Sequence, residues 1–365
     1  MRFEPFALER WLLQSSAYDL ASAGISRLRL DEVIGGIDPG SLLSYGLTNG
    51  SDAIRSGVAT LYAGAVGREV LITTGTAEAN FLALYALLEP GDEVVALNPT
   101  YMQHRGIAQS LGAEVRVIEL REEEGWKLDM DELRRQITDR TRVVALVNPN
   151  NPVGSVISSD EMGAICDMAG RFGAWVLCDG ALRGTETDGH LAASPVEFHE
   201  RGIATGSLTK LGMPGIRVGW LVAEPGLVAK CWALKDYVTL SHSGLGEQIA
   251  IAALDPGKLD GFMARARQRV REHSAVVAEW IAEMEPLVSW TRPTAGHTAF
   301  PRYNLGMDSV RLCQRLLSEE DVLLTPGDYF HSPGHFRLRY SGDREALDGG
   351  LRRLESFLRK YSGSV

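Results

Sequence analysis

The chain has 365 residues, of which 45% are hydrophobic and 23% charged, and it carries a net charge of −10 at pH 7. This composition is typical of a globular protein, the length predicts two domains, and the negative charge argues against nucleic acid as a partner. No apolar run reaches the roughly 20 residues that a membrane helix needs. The amino-terminal run MRFEPFALERWLL lacks the features of a signal peptide, so we expect a cytoplasmic protein without a membrane partner. Four cysteines without paired spacing predict reduced, mostly buried thiols.

Short apolar runs alternate with helical stretches over the first two thirds of the chain. Strands are predicted, in chain order, at 69–75, 92–99, 113–120, within 142–154 and at 174–180, and the intervening helices at 77–91, 100–112 and 160–173. Strands of near-continuous apolar character between helices indicate a mostly parallel sheet that helices cover on both faces.

After about residue 255 the pattern changes. A long helical stretch at 257–284 is followed by strand-like pieces and by a final amphipathic helix at 344–361. The sequence therefore predicts an α/β fold with two domains. The large domain, 46–255, contains the mostly parallel sheet sandwiched by helices, and a smaller α+β domain is formed by 1–45 and 256–365.

Polar residues follow several of the predicted strands, where ligands of open α/β sheets bind. A glycine turn, Gly75, precedes Thr76 at a helix start and offers backbone N–H groups to a phosphate, although taken alone this pattern favours a plain helix cap by Thr76. Asp179 is the last residue of a predicted apolar strand, and an aspartate at such a position is also typical of the N-cap of the next helix. Tyr101 taken alone fits a packed aromatic of the core, and the run 148–154 fits an ordinary loop.

Taken together and in this order, these pieces resemble the aminotransferase class I/II family, whose members are pyridoxal-phosphate enzymes with the aspartate aminotransferase fold. The resemblance covers nearly the whole chain. The segments that carry it are YGLTNGSDAIRSGVATLY (45–62), TTGTAEAN (73–80), NPTY (98–101), NPNNPVG (148–154), the strand end at Asp179, SLTKLGMPGIRVGW (207–220) and FRLRYS (336–341).

The resemblance implies pyridoxal 5'-phosphate as the cofactor and no metal. Lys210 matches the lysine whose amine forms a Schiff base with the cofactor aldehyde and later moves the substrate α-proton. The residues that match the ligands of the cofactor phosphate are Ser207, Thr209 and Arg217, with backbone N–H groups of Thr76 and Ala77. Tyr45 matches a tyrosine that reaches the phosphate from a second subunit, so a homodimer with shared active sites is expected.

The same resemblance assigns the ring and the substrate. Asp179 pairs with the pyridinium nitrogen and keeps it protonated, so that the ring acts as an electron sink. Asn151 forms a hydrogen bond with the phenolic oxygen of the ring and also contacts the substrate. Tyr101 stacks on the ring face. Arg337 matches the arginine that holds the substrate α-carboxylate in a bidentate pair, so a free amino acid is the expected substrate.

One position departs from the family pattern. The family carries Asp-x-x-Tyr at this strand end, where the tyrosine donates to the phenolic oxygen, whereas this chain has Leu182 three residues after Asp179. Two interpretations remain open: drift within an ordinary aminotransferase, or altered chemistry, because loss of the donor raises the basicity of the Schiff base.

A second set of segments resembles the capreomycidine synthase subgroup, whose chemistry is the cyclisation of a hydroxylated arginine with loss of water. The segments are DGAL (179–182), DYVTLSHSGLGEQIA (236–250), HTAFPRY (297–303) and the amino-terminal LERWLL and YDLASAGIS. A guanidinium substrate requires carboxylates, and Glu9 and Asp19 are the candidates, although ordinary surface acids look the same in sequence.

Three functions are therefore open. The first is a cyclase or dehydratase of a guanidino amino acid, and the second is a conventional aminotransferase that uses a 2-oxo acid. The third, a regulatory or binding domain that has lost catalysis, is disfavoured because Lys210, Asp179 and Arg217 are all present.

Overall fold

A computed structural model describes residues 3–37, 40, 42–62 and 64–362 of the chain. The outer bounds of the predicted small domain, 1 and 365, lie outside the described residues. The helices are α1 Ala7–Trp11, α2 Leu30–Val33, α3 Asp52–Ala59, α4 Thr76–Leu87, α5 Gln103–Ser110, α6 Met130–Gln136, α7 Ser159–Arg171, α8 Pro225–Lys235, α9 Gly244–Ala253, α10 Pro256–Met284, α11 Ser309–Glu320 and α12 Arg344–Ser362. The strands are β1 Tyr18–Asp19, β2 Glu69–Thr73, β3 Glu93–Asn98, β4 Glu114–Glu119, β5 Thr141–Val147, β6 Trp175–Asp179, β7 Gly202–Ser207, β8 Gly219–Ala223, β9 Val288–Ser289, β10 Thr298–Ala299, β11 Arg302–Tyr303, β12 Val322–Leu323, β13 Thr325–Pro326 and β14 Phe336–Arg339.

In the described part of the chain, the central sheet has seven strands, in the order β2-β8-β7-β6-β5-β3-β4. Strand β8 runs antiparallel to both of its neighbours, β2 and β7, and the remaining pairs are parallel. All strands except β8 therefore point the same way, and their carboxyl ends meet at one edge of the sheet. The predicted α/β fold with a mostly parallel sheet is confirmed.

The inner strands of the sheet are buried on both faces, and their central residues are largely apolar. All six residues of β3, EVVALN, are buried, as are the last five of β5. One apolar cluster joins β3 and β5 to α7, and another joins β2, β5 and β8 to α4 and α8 on the opposite face. Burial of such side chains is worth about 1.5–3 kcal/mol each, which explains why continuous apolar runs select this layered arrangement.

A second apolar core lies in the carboxy-terminal third of the chain. It contains residues of α10, α11, α12 and β14, and Trp11, Leu20 and Ala21 of the amino-terminal segment pack into it. Three small sheets surround this core, formed by β1 with β12, by β9 with β11, and by β10, β14 and β13. The division into domains at 46–255 and at 1–45 with 256–365 remains a prediction. This core contains residues from both segments of the predicted smaller domain.

The amino-terminal segment packs against more than one core. Leu8 belongs to the cluster around β3 and β5, whereas Ile25 and Val33 pack with β8 and α9. The segment therefore crosses from the central sheet to the smaller core and lies along the edge at which the strands end. Among the described residues, none of the helices has the length and apolar character to cross a membrane. All four cysteines are free and buried, as predicted.

Candidate active site

A cavity of about 250 Å³ lies at the carboxyl edge of the central sheet. The residues after β2, β5, β6 and β7 line it together with the amino-terminal segment and β14. It brings together most of the residues that the sequence singles out, namely Glu9, Thr76, Ala77, Tyr101, Asn151, Asp179, Ser207, Thr209, Lys210, Arg217 and Arg337. Two predicted site residues, Asp19 and Tyr45, do not line it.

One end of the cavity is built to receive an anion. Gly75 adopts a φ of 83° before α4, and Thr76 and Ala77 of the first helical turn line the cavity. The guanidinium of Arg217 lies against this turn and donates to the carbonyl of Thr74 at 3.3 Å. The hydroxyl of Thr76 is buried and has no hydrogen-bond partner among the described residues. An unpaired donor, a cation and a helix N-terminus in one place suit a phosphate.

Lys210 lies in a short 3₁₀ turn, Thr209–Leu211, directly after β7. Its Nζ donates to the backbone carbonyl of Ala23 at 2.7 Å, across the cavity in the amino-terminal segment. Burial, together with the positive charge of Arg337, lowers the pKa of Lys210 from 10.5 to about 8. The amine is therefore still mostly protonated at neutral pH, but a larger part of it is neutral than in an ordinary lysine.

Asp179 is held by a network that the sequence does not reveal. One of its carboxylate oxygens accepts from the side-chain amide of Asn80 at 2.7 Å, and the other accepts from the N–H of Ala181 at 2.8 Å. Thr205 donates to the amide oxygen of Asn80 at 2.6 Å and so fixes that side chain. His104 is buried near the same carboxylate; burial lowers the pKa of His104, and Asp179 opposes the shift.

The residues of this network come from separate elements. Asn80 lies one helical turn after Thr76 on α4, His104 lies on α5, and Thr205 is the register partner of Asp179 on the neighbouring strand. The i, i+4 spacing of Thr76 and Asn80 is a signal that places both on one helix face. The position of Thr205 depends on the pairing of β6 with β7, for which local sequence gives no signal.

Among the residues that the structure describes, Arg337 has the largest fully buried side chain, and it lines the cavity from β14. It donates to Asn151 Oδ1 at 3.2 Å and to the carbonyl of Ala21 at 2.8 Å, while its Nε has no partner among the described atoms. Burial lowers the pKa of Arg337 to about 10. A buried guanidinium with an unused donor is suited to a carboxylate, which would satisfy that donor and the charge together.

Glu9 and Tyr101 form a pair at the other side of the cavity. The Tyr101 hydroxyl donates to Glu9 Oε1 at 2.8 Å. Burial, together with the carboxylate of Glu9, raises the pKa of Tyr101 well above its usual value. Glu9 also acts at a distance, because its negative charge raises the pKa of Lys210 and of Arg337 against the larger effect of their burial.

The two predicted site residues outside the cavity have other surroundings. Asp19 turns towards its own backbone, where one oxygen accepts from the N–H groups of Ala21 at 2.9 Å and Ser22 at 3.0 Å. Its carboxylate also lies 4.0 Å from a guanidinium nitrogen of Arg339. Tyr45 is 82% exposed and lies in a separate surface depression. Leu182, which stands where the family has tyrosine, does line the cavity.

The fold and this site define a class of protein. The family model for aminotransferase class I and II matches residues 26–354, and the chain therefore belongs to that family. A curated relative, capreomycidine synthase of Streptomyces vinaceus, is 33% identical over 94% of this chain and 91% of its own length.

Two solved structures share the fold over nearly the whole length. A PLP-dependent aminotransferase from Streptococcus suis superposes with a TM-score of 0.91 at 35% identity and covers 99% of each chain. The PLP-dependent cyclase OrfR superposes with a TM-score of 0.89 at 29% identity, covering 99% of this chain and 98% of its own. An aminotransferase and a cyclase are thus about equally similar to this chain.

Proposed function

We propose that this chain is a pyridoxal-phosphate enzyme that cyclises a hydroxylated guanidino amino acid with loss of water. The observation that carries the proposal is the Glu9 carboxylate at the cavity, hydrogen-bonded to Tyr101. The similarity to capreomycidine synthase and to the cyclase OrfR supports the same reaction.

The residues of the cavity fit the cofactor. Arg217, the unpaired hydroxyl of Thr76 and the N-terminus of α4 would hold its phosphate. The buried carboxylate of Asp179 would hold its ring nitrogen protonated. When bound, the cofactor supplies an aldehyde for the amine of Lys210 and an electron sink for the α-carbon of the substrate.

The charges that these roles leave over in the cavity favour one kind of substrate side chain. In this proposal Arg217 pairs with the cofactor phosphate, Arg337 with the substrate α-carboxylate and Asp179 with the ring nitrogen. Of the charged residues that line the cavity in the described part of the chain, this leaves the carboxylate of Glu9 without a partner of opposite charge. A carboxylate in that position favours a cationic side chain and disfavours an acidic one.

Lys210 then serves as the base at the substrate α-carbon, because its pKa of about 8 leaves part of the amine neutral at physiological pH. In the overall conversion a C–O bond breaks, a C–N bond to the guanidine forms and one water leaves. Glu9 holds the guanidinium, and Arg337 holds the α-carboxylate so that the carbon chain folds back between them.

The test is turnover of 3-hydroxyarginine and 4-hydroxyarginine by the pure holoenzyme, followed by mass spectrometry. We expect a product that has lost one water, most readily from the 3-hydroxy isomer because its leaving group is adjacent to the α-carbon. Lys210→Ala abolishes turnover and the visible absorbance of the bound cofactor, whereas the exposed Lys230→Ala changes neither. A holoenzyme that leaves both isomers intact contradicts the proposal.

The second candidate is a conventional aminotransferase, which the similarity to the Streptococcus suis aminotransferase favours. It predicts a two-step exchange in which pyridoxamine phosphate and an oxo acid appear in equal amounts. Measuring both products with arginine, ornithine and aspartate as amino donors separates the two functions, because the cyclase leaves the amino group on the carbon chain.

We also propose a cytoplasmic homodimer in which Tyr45 of one subunit completes the phosphate site of the other. Large apolar side chains are exposed on the segments around Tyr45 and after α8, namely Leu42, Leu43, Leu47, Tyr237, Val238 and Leu240. Such a patch favours burial against a second copy of the chain. The four free thiols suit a reducing compartment.

A further inference from the structure

Glu9 lies on the short surface helix α1, and its own side chain is exposed. A free glutamate at such a position samples several rotamers, and fixing it to receive a ligand costs conformational entropy. The carboxylate of Glu9 therefore needs a partner within the protein if it is to stand ready for a side chain of the substrate.

The backbone of α1 is fixed against the rest of the molecule. Leu8 is buried in the core beneath the central sheet, and the indole of Trp11 donates to the carbonyl of Leu324 at 2.7 Å. The ring of Phe6 contacts the ring of Tyr101 with 5.2 Å between the centroids. What the helix itself leaves undetermined is the direction of the Glu9 side chain.

The hydroxyl of Tyr101 determines that direction. It donates to Glu9 Oε1 at 2.8 Å, and no described residue donates to Oε2. One oxygen is therefore held by the protein, and the second remains available for an incoming cation. A guanidinium offers forked donors to such an oxygen, whereas a neutral ureido group offers weaker ones.

We infer that Tyr101 is a positioning residue for substrate specificity: its hydroxyl orients Glu9 for a guanidinium, separately from the stacking role of its ring. The inference rests on the proposed function, in which Glu9 receives the guanidino group. The hydroxyl acts through Glu9, so its contribution disappears when Glu9 loses its charge.

The test is a double-mutant cycle on ligand preference, read as the ratio of dissociation constants for L-citrulline and L-arginine. Both ligands are titrated into holoenzyme saturated with cofactor, and binding is followed by the cofactor absorbance. Because the two ligands differ at the guanidine and the ureido group alone, a ratio cancels any change in cofactor stacking. We expect Tyr101→Phe to lower the preference for arginine about tenfold, equivalent to about 1.4 kcal/mol.

Glu9→Gln is expected to lower the preference at least as far, and the double variant is expected to fall no lower than Glu9→Gln. The matched control is Tyr361→Phe, which removes a tyrosine–glutamate hydrogen bond of 2.7 Å to Glu319, remote from the cavity. A Tyr101→Phe variant with the wild-type preference, or additive losses in the double variant, overturns the inference.

The failure of this inference is distinguishable from failure of the proposed reaction. A wild-type enzyme that prefers arginine but releases no water from either hydroxyarginine contradicts the cyclase and leaves the role of Tyr101 intact. A wild-type enzyme that cyclises its substrate while Tyr101→Phe keeps the full preference contradicts the role of Tyr101 alone.

Discussion

At the scale of single residues, the charges around Lys210 oppose one another. Burial and the positive charge of Arg337 lower the pKa of the Lys210 amine, while the carboxylates of Glu9 and Asp179 raise it. The balance leaves the amine with a pKa of about 8, between that of a free lysine and physiological pH. The surroundings of Lys210 thus make its amine easier to deprotonate, which suits the nucleophilic role proposed for it.

This balance predicts the pH dependence of cofactor capture by the apoenzyme. The neutral amine is the nucleophile, so the rate of capture should rise with pH and level off above a midpoint near 8. Arg337→Gln removes a positive neighbour, raises the pKa of Lys210 and moves the midpoint to higher pH. Glu9→Gln removes a negative neighbour and moves it to lower pH. Stopped-flow absorbance measures both, and shifts of the same sign would contradict this account.

Leu182 carries a second prediction at this scale. It lines the cavity where the family has a tyrosine that donates to the phenolic oxygen of the cofactor. Leu182→Tyr restores a donor that stabilises the phenolate, so the pH at which the absorbance of the bound cofactor titrates should fall by about one unit. Leu182→Phe adds the ring without the hydroxyl and serves as the control. An equal shift in both variants would show that ring volume, not hydrogen bonding, sets this pKa.

At the scale of elements, the site is assembled from turns that follow parallel strands. In the turn between β2 and α4, Gly75 has a φ of 83°, and a Cβ placed there would lie 2.3 Å from Nη2 of Arg217. The missing side chain lets the guanidinium lie over the helix N-terminus, and the turn therefore sets the geometry of the anion site.

Gly75→Ala tests this turn against a matched glycine. The substitution should cost about 1 kcal/mol of unfolding free energy from the positive φ and should also weaken pyridoxal-phosphate binding about tenfold, because Arg217 is displaced. Gly91→Ala is the control: its φ is 93°, yet nothing lies within 4 Å of the added Cβ. Denaturant titration should show similar losses in both variants, with weaker cofactor binding confined to Gly75→Ala. Equal affinities would contradict the role assigned to the turn.

At the scale of the whole molecule, the amino-terminal segment joins the two cores across the cavity. Its carbonyls at Ala21 and Ala23 accept hydrogen bonds from Arg337 on β14 and from Lys210 after β7. The Asp19 carboxylate, by capping the N–H groups of Ala21 and Ser22, shapes this stretch without entering the cavity. The proposed site is thus closed by a segment distant in sequence from both cations.

The proposed homodimer predicts that two defective subunits complement each other. In a hybrid of Lys210→Ala and Tyr45→Ala chains, one of the two sites combines an intact Lys210 with an intact Tyr45 from the other chain. Mixing the variants after mild dissociation should give activity above the sum of the separate homodimers. Light scattering on the wild-type chain provides the mass, and a monomer, or a mixture without any gain, would contradict the arrangement.

Local sequence was sufficient for five strands of the central sheet and for the acid at the end of β6, but it predicted neither β7 nor β8. The apolar runs of β3 and β6 have strong signals because burial on both faces permits no polar residue within them. Asp179 ends β6, so chain direction alone places it at the carboxyl edge of the sheet. Lys210 instead follows β7, whose run GIATGS gives no continuous apolar signal. The motif resemblance then predicted which residues hold the cofactor phosphate and ring. Those predicted for the phosphate, Thr76, Ser207, Thr209 and Arg217, all line the cavity.

Tertiary structure decided which side chains meet across the cavity. The pairing of β6 with β7 brings Thr205 to the Asn80–Asp179 network, and the path of α1 brings Glu9 to Tyr101. It also separates two acids that look alike in the sequence, since Glu9 faces the cavity and Asp19 faces its own backbone. Hydrophobic periodicity specifies which face of an element is buried, but contacts between elements depend on strand order and packing, which no local pattern encodes.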